Sequence, residues 1–298
     1  MEDKYYKNIE ELIINDAIYQ KVKDYSKERN KVNTYYQIGK LLNDAGKHYG
    51  DNVIGKYSEK LMNKFGKKYN ARTLRSMRQF YIIFNDDFWK PVVSKLTWTN
   101  SLLIMPLKDK YKMFYYIDLC IKQNLSKREL RERIKSKEYE RLDESTKNKL
   151  INKQETNATD FIKNPIMIKN SLNYEHISEK ILQDLILDDI PSFLEELGEG
   201  FSFIKNEYKI KLGDTFNYID LLLYNIKYRA YIVIELKVTE LKAEHIGQIT
   251  KYMNYIDSNV KTTYDNNTIG IIISKRNNKF VIEYCSDSRI RFKEYEIV

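Results

Sequence analysis

The chain has 298 residues, of which 31% are charged and 42% hydrophobic, a composition typical of a soluble globular protein with room for two domains. No apolar run reaches the ~18 residues that a membrane-spanning helix needs, and the N-terminus lacks a basic start followed by an apolar signal core. We therefore expect a cytoplasmic protein with no membrane partner. The two cysteines have no CxxC spacing and the three histidines are scattered, so neither a disulfide nor a zinc site is indicated.

Positive charge is concentrated in the first half of the chain. Residues 1–160 carry 33 Lys and Arg against 22 Asp and Glu, whereas the remainder carries 18 against 20. The net charge is therefore +11 in the first part and −2 in the second, in agreement with +9 for the whole chain. This asymmetry favours a nucleic-acid-binding N-terminal half joined to a catalytic half.

Helical periodicity dominates the N-terminal half. Apolar residues recur at helical spacing over residues 8–30, 31–46 and 51–65. Gly66 would end the third helix, and Asn70 or Thr73 would begin a fourth, which is a helix–turn–helix pattern. No acidic residue occurs between 60 and 85, so this pattern could lie in a DNA major groove or along phosphates. The candidate DNA contacts are Lys64, Lys67, Lys68, Arg72, Arg75 and Arg78. The alternative is a solvated basic surface.

A domain boundary is predicted after two further helices. These helices are expected at residues 109–123 and 127–141, the second with Ser126 as its N-cap and Glu129 completing a capping box. Residues 143–162 are then polar and poor in aromatic side chains. We place a helical DNA-binding domain at residues 1–145, a linker at 146–172 and a second domain at 173–298.

The second domain mixes helical and strand-like patterns. Helices are predicted at residues 175–189 and 242–257, and strands at FSFIKNEYKI and at residues 217–224, 230–238, 268–274, 280–285 and 290–297. This order of elements indicates an α/β domain with a mixed sheet.

Three ionisable residues interrupt two of these strands, where apolar residues are expected. A hairpin centred between Lys227 and Tyr228 would place Asp220 opposite Glu235, roughly 5 Å apart at Cβ, with Lys237 on the same face. A one-residue slip would move Asp220 to the other face. Two carboxylates so close need a proton or a cation, and Mg2+ is the natural partner. The alternative is an ion pair on a solvated strand face.

Such a site suits hydrolysis of phosphodiester bonds. A divalent cation would polarise the phosphoryl oxygens and lower the pKa of its bound water, and Lys237 could offset charge that develops in the transition state. No GxSxG turn, Walker loop or GxGxxG motif occurs, so serine-hydrolase and nucleotide-driven chemistry are disfavoured.

The wider sequence resembles a known family. The pattern Asp220…Glu235-Leu-Lys237 resembles the PD-(D/E)XK nucleases. The segments FLEELGEGFSFIKNEYKI, YIVIELKVTELKAEHIGQITKYMNYID and NTIGIIISK are similar to the nuclease domain of bacterial YhcG-like proteins. The segments TYYQIGKLL, LMNKFGKKYNARTLRSMRQFY and LSKRELRERIKSKEYERL are similar to that family's winged-helix-like domain. The resemblance spans nearly the whole chain.

The resemblance implies a helical, winged-helix-like DNA-binding domain followed by a restriction-endonuclease-like α/β domain that binds Mg2+, with Mn2+ as a substitute. Asp220 and Glu235 would hold the metal, Lys237 would be the catalytic lysine, and Gln248 would lie beside the site. Such cores also use a first-helix glutamate as a catalytic residue and third metal ligand, for which Glu179 is the candidate and Gln183, one turn on, the alternative. Glu207 and Tyr252 receive no catalytic role.

Three functions are open on this reading. A Mg2+-dependent DNA endonuclease, suited to phage defence or mobile elements, is preferred. The alternatives are a non-catalytic DNA-binding protein with a degenerate nuclease fold and a protein-interaction module in the basic half. Cutting both DNA strands would need two active sites, so a homodimer is one arrangement to test.

Overall fold

A computed structural model describes residues 3–21, 27–50, 52–86, 95–157 and 159–298. The chain divides into two compact units, Met1–Tyr139 and Glu140–Val298. Within the described ranges, no helix combines the length and the apolar character needed to cross a membrane.

Unit 1 is helical in its described part. Its helices are α1 Lys4–Tyr19, α2 Lys27–Tyr49, α3 Val53–Phe65, α4 Ala71–Phe84, α5 Trp98–Ile104, α6 Lys110–Gln123 and α7 Lys127–Lys135, with a 3-10 turn at Lys67–Tyr69. No strand occurs in the described residues up to Tyr139, so the winged-helix form of this unit stays a prediction.

Local capping explains most of these helix boundaries. The Asn70 side chain accepts the Thr73 N–H at 3.0 Å and starts α4, as predicted. The predicted capping box at Ser126 is also present, since the Glu129 carboxylate accepts the Ser126 N–H at 2.7 Å. That helix nevertheless ends at Lys135, not at residue 141.

The helix predicted over residues 8–30 is wrong, because α1 ends at Tyr19 and α2 begins at Lys27. The Lys27 ammonium donates to the Gln20 carbonyl at 2.7 Å and thus satisfies a carbonyl at the end of α1. Residues 22–26, including part of that prediction, lie outside the described residues. Apolar spacing continues across this break with no glycine or proline to mark it.

Helices α2 and α4 approach each other closely. Gly39 lies so near α4 that a Cβ at this position would be 2.1 Å from the Met77 carbonyl oxygen. Ile38 and Leu42 of α2 and Leu74 of α4 are fully buried beside this contact. Glycine at position 39 therefore sets the spacing in the unit 1 core.

Unit 2 is an α/β domain. Its elements are α8 Glu144–Ile151, β1 Ile166–Ile168, α9 Glu179–Asp188, α10 Ile190–Leu197, β2 Phe201–Leu212, β3 Thr215–Asn225, β4 Ala230–Glu240, α11 Ala243–Asn259, β5 Asn266–Arg276, α12 Lys279–Glu283 and β6 Ile290–Ile297. The described strands form a sheet in the order β1-β6-β5-β4-β3-β2. The β2–β3 and β3–β4 pairs are antiparallel and the others parallel, which confirms the predicted mixed sheet.

Two parts of the sequence prediction for unit 2 differ from the structure. The segment 146–172, where we expected a linker, contains most of α8 and all of β1. The strand predicted at 280–285 is wrong, because residues 279–283 form α12. The Asn278 side chain accepts the N–H groups of Phe280 and Val281, and this cap overrides the strand propensity of the apolar residues that follow.

The central strands are buried on both faces. Leu221 and Leu223 pack into a core with α9 and α10, whereas Leu222 packs into a second core with α11. Strands covered on both faces are almost continuously apolar. The charged residues that interrupt β3 and β4 therefore stand in the most strongly apolar part of unit 2.

Candidate active site

Strand register brings the predicted carboxylates to the same place. The β3–β4 ladder pairs Leu221 with Ile234 and Leu222 with Val233, which confirms the predicted hairpin register. Immediately beyond this ladder, Asp220 Oδ2 accepts the N–H of Leu236 at 2.7 Å. The side chain from β3 is thus fixed beside the residue that lies between Glu235 and Lys237.

Glu235 and Lys237 form a buried ion pair. Glu235 is 1% exposed and Lys237 is 8% exposed. The Lys237 Nζ donates to Glu235 Oε1 at 2.8 Å. Glu235 Oε2 is buried and has no hydrogen-bond partner among the described residues. A buried acceptor of this kind is costly unless another group binds it.

The electrostatics of the two carboxylates favour the binding of a proton or a cation. Burial, with the nearby charge of Asp220, raises the pKa of Glu235 to about 7, although Lys237 opposes the shift. Burial also raises the pKa of Asp220, against the stabilising hydrogen bond from Leu236. Burial alone would lower the pKa of Lys237, but Glu235 and Glu179 outweigh it and raise that pKa. The lysine therefore stays charged, and the two acids compete for one proton or one cation.

Helix α9 carries Glu179 and Gln183, the two candidates for the first-helix residue of the site. Glu179 lies in the first turn, with its Oε2 3.5 Å from Lys237 Nζ and its side chain 48% exposed. Gln183 is buried, and its Nε2 donates to the backbone carbonyl of Asp220 at 2.9 Å. The carboxylate of Glu179 is thus directed to the ionisable groups, whereas Gln183 holds the β3 backbone.

Two cavities give solvent access to these groups, and both are lined by Glu179. One, of about 530 Å³, is lined by Lys237 and Gln248. The other, of about 340 Å³, is lined by Asp220, Gln183 and Tyr218. A substrate group could therefore reach Lys237 through the larger cavity and Asp220 through the smaller one.

Helix α11 supplies the wall of the larger cavity. Gln248, predicted from the resemblance, donates to the Tyr252 hydroxyl at 3.1 Å. Lys242 and Lys251 line the same cavity and were not singled out in the sequence. Lys251 lies three residues after Gln248, so helical spacing counted from Gln248 could have found it.

The residues present fit a divalent cation held by two protein ligands. Asp220 and Glu235 supply oxygen ligands, and Mg2+ is commonly bound by one or two carboxylates with water and phosphate completing its shell. The unpartnered Glu235 Oε2 is suited to such a bond. Within the described ranges, no three His, Cys, Asp or Glu side chains are grouped closely enough to hold a metal. Asp220, Glu235 and Glu179 together are therefore not an assembled three-ligand set, and the role of Glu179 stays a prediction.

The basic residues predicted to contact DNA differ in their surroundings. Of the six residues, Lys64, Lys67, Lys68, Arg72 and Arg75 are exposed and Arg78 is half-buried. Lys64 forms an ion pair with Glu10 at 3.0 Å. Arg72 and Arg75 line a cavity of about 760 Å³ together with the hydroxyl-bearing Ser76. These two arginines of α4 are best placed to bind an anionic ligand.

Comparison with known proteins identifies the class and then the family. Residues 159–297 match the YhcG PDDEXK nuclease domain, and residues 10–141 match the DUF1016 N-terminal domain. Residues 159–297, which contain the mixed sheet, are thus a PD-(D/E)XK nuclease domain. The chain belongs to the YhcG-like family of this superfamily.

Individual relatives are distant. YhcG of Escherichia coli (strain K12), a candidate nuclease, is 21% identical over 282 residues, covering 80% of this chain and 75% of that protein. A repair endonuclease from Pyrococcus abyssi is 18% identical over 43% of this chain and 49% of its own, with a TM-score of 0.29. The EndoMS–dsDNA2 complex is 16% identical over 43% of this chain and 48% of its own, with a TM-score of 0.30. The chain therefore spans about half the length of these two solved structures.

Proposed function

We propose that this protein is a divalent-metal-dependent DNA endonuclease, in which unit 2 hydrolyses the phosphodiester bond and unit 1 binds DNA. The observation that carries the proposal is the unpartnered Oε2 of Glu235, buried beside the Asp220 carboxylate and the Lys237 ammonium. In a purely structural ion pair, a buried acceptor without a partner only costs stability. A cation shared by two acids and a substrate phosphate would bind that oxygen.

The acidic residues of the site would bind the metal, and the lysine would stabilise negative charge. Asp220 and Glu235 would hold Mg2+ or Mn2+, which when bound supplies Lewis acidity and a water of lowered pKa. Lys237, kept protonated by its carboxylate neighbours, would stabilise the negative charge that develops on the phosphate. Glu179 and Gln248 border the same cavity as Lys237 and would orient the attacking water and the substrate.

Unit 1 would position the DNA. Arg72 and Arg75 project from the exposed side of α4, which is the second helix of the predicted helix–turn–helix. Arginine forms bidentate hydrogen bonds with phosphate and fits this role. Residues 1–145, with the match to a separate N-terminal family over residues 10–141, would then form the DNA-binding part.

The experiment is cleavage of plasmid and duplex oligonucleotides with Mg2+, Mn2+ or EDTA, comparing wild type with Asp220→Asn and Lys237→Met. We expect both variants to lose at least about a hundredfold in rate, the loss typical when one charged stabiliser of a transition state is removed. Asp214→Asn, which changes an exposed acid at the β2–β3 turn, is the matched control and should keep full activity. Equal rates in all four proteins would refute the proposed site.

One observation favours a second function, a DNA-binding protein whose nuclease fold is inactive. The described residues contain no assembled three-ligand metal cluster. In that case wild-type protein would bind DNA, would fail to bind Mn2+ in titration calorimetry, and would not cleave DNA.

A further inference from the structure

Strands β2 and β3 form a ribbon beside the carboxylate site. The β3–β4 pairing runs from Leu221 to Asn225, whereas the β2–β3 pairing continues from there to Leu212 and Thr215. The part of the hairpin that reaches past the β3–β4 ladder therefore consists of two paired strands. Asp220 lies where this ribbon leaves the sheet.

The two faces of the ribbon differ in character. Ile210 and Ile219 are buried and belong to the core that packs against α11. The other face pairs Lys209 with Tyr218 and Lys211 with Phe216. Directly paired residues of antiparallel strands lie on the same face, so these four side chains form one patch, which we call the ribbon patch.

The ribbon patch combines exposed rings with positive charge. Phe216 is 56% exposed and Tyr218 is 51% exposed. The Lys209 ammonium lies 3.8 Å from the centroid of the Phe216 ring, a cation–π contact that keeps charge and ring together at the surface. Large exposed aromatic side chains next to each other are uncommon on a protein surface unless a partner covers them.

The ribbon patch is continuous with the proposed active site. Tyr218 lines the 340 Å³ cavity together with Asp220. Phe216 is two residues further along the strand, a step of about 7 Å at strand geometry. The rings therefore lead away from the carboxylate in steps comparable to the spacing of nucleotides in an extended strand.

We infer that the ribbon patch binds unpaired nucleotides next to the bond that is cut, so that the substrate is DNA with a single-stranded segment beside the cleavage site. This inference rests on the proposed nuclease function. Proteins bind single strands by stacking bases on aromatic side chains and pairing phosphates with basic ones, which is the composition of this patch. In a paired duplex the neighbouring bases cover each base face, so exposed rings gain little by stacking.

The test is binding without chemistry. Fluorescence anisotropy in EDTA would measure the Kd of a labelled oligo-dT strand and of a blunt duplex, for wild type and for a Phe216→Leu, Tyr218→Leu double variant. Stacking of one base on one ring is worth about tenfold in affinity or more, so we expect the Kd for oligo-dT to rise at least tenfold and that for duplex much less. Leucine retains bulk, and both positions are exposed, so the thermal unfolding midpoint should not move.

Tyr264→Leu is the matched control. Tyr264 is 77% exposed and lies beneath the Arg229 guanidinium at 5.9 Å, a ring–cation pair just before β5 and outside the ribbon. Its replacement should leave the Kd for oligo-dT unchanged. Failure of wild type to bind oligo-dT, an unchanged Kd in the double variant, or an equal loss on duplex would each overturn the inference.

Cleavage measurements separate this inference from the nuclease proposal. In Mg2+, wild type should cut a duplex carrying an unpaired tail faster than a blunt duplex, and the double variant should lose that preference while still cutting. Asp220→Asn should lose cleavage of both substrates but retain the affinity for oligo-dT. If nothing is cut yet the ribbon variants weaken oligo-dT binding, the nuclease proposal fails and the ribbon patch remains a single-strand binding surface.

Discussion

The Asp220 carboxylate holds the Leu236 N–H at 2.7 Å, so a side chain of β3 is tied to the β4 backbone between Glu235 and Lys237. The hydrogen bond fixes one acid relative to the other without using a second side chain. The β3–β4 ladder extends to the Leu221–Ile234 pair, directly beside Asp220 and Glu235. The backbone geometry of the two strands therefore sets the separation of the two carboxylates. The site is therefore organised before any ligand binds.

The raised pKa of Glu235 predicts a pH-dependent stability of the metal-free protein. The pKa is about 7 in the folded state and near 4.5 in the unfolded chain, so protonated Glu235 favours folding. That contribution is complete below pH 4.5 and is lost as the pH rises through about 7, a change of about 3 kcal/mol in the free energy of unfolding. Urea unfolding in EDTA at pH 5 and pH 8, with the β4 amides followed by hydrogen exchange, measures it.

Glu235→Gln provides the comparison, since the amide cannot ionise. The difference in unfolding free energy between wild type and this variant should shrink or change sign between pH 5 and pH 8, in favour of the variant at high pH. Contributions from distant titrating groups cancel in that difference, whereas those of Asp220 and Lys237, which interact with Glu235, are part of it. Parallel pH profiles for the two proteins would show that Glu235 ionises normally.

Divalent cations should stabilise unit 2 through the same carboxylates. A ligand at a hundred times its Kd adds about 2.7 kcal/mol to the free energy of unfolding. Mn2+ should therefore raise the thermal midpoint of wild type and of Asp214→Asn, but not of Asp220→Asn or Glu235→Gln. Because protons compete for Glu235, the apparent affinity should be weaker at pH 6 than at pH 8. A midpoint shift that persists in Glu235→Gln would place the cation elsewhere.

The close approach of α2 and α4 predicts opposite effects for two glycine substitutions. Gly39→Ala would place a methyl group 2.1 Å from the Met77 carbonyl oxygen, so the helices must separate, at a cost of roughly 1–3 kcal/mol or more. Gly55→Ala in α3 meets only the Asn52 side chain, at 3.6 Å, and should stabilise unit 1 by about 0.5–1 kcal/mol through helix propensity. Thermal unfolding of both variants measures the contrast.

Arg72 and Arg75 should bind phosphates of the DNA backbone. The Arg72→Ala, Arg75→Ala double variant should weaken duplex binding and reduce the slope of log Kd against log salt by about two, one for each phosphate that is no longer neutralised. Lys40→Ala, which removes an exposed charge from α2, is the control and should leave the slope unchanged. An unaltered slope in the double variant would assign DNA binding to another surface.

The mixed character of the sheet and the register of β3 with β4 were predictable because they depend on local patterns. The apolar strands and the four-residue turn between Asn225 and Ala230 fix the pairing of β3 with β4. The resemblance to a family supplied Glu179 and Gln248, which no spacing in the sequence distinguishes from surface residues. Residue types and spacing thus predicted Asp220, Glu235 and Lys237, but not the side chains that surround them.

The features that the sequence did not reveal depend on competition between neighbours. Asn278 starts a helix in a segment of strand-forming residues, and the Lys27 ammonium, seven residues after Gln20, donates to the Gln20 carbonyl at the end of α1. The pairs of the ribbon patch follow from the two-residue turn at Gly213 and Asp214, and the register shift after Phe203 lies beyond them. The sequence did not reveal which face of this hairpin packs against α11, because tertiary packing decides it.

The hydrogen bond between Asp220 and the Leu236 amide determines which substitution at position 220 is informative. Alanine at position 220 would remove the carboxylate charge and would also leave the Leu236 N–H without its hydrogen-bond acceptor. Loss of activity in that variant could therefore come from a destabilised β3–β4 hairpin. Asparagine retains an oxygen for that amide. Only the asparagine variant therefore separates the effect of the lost charge on catalysis from an effect on folding.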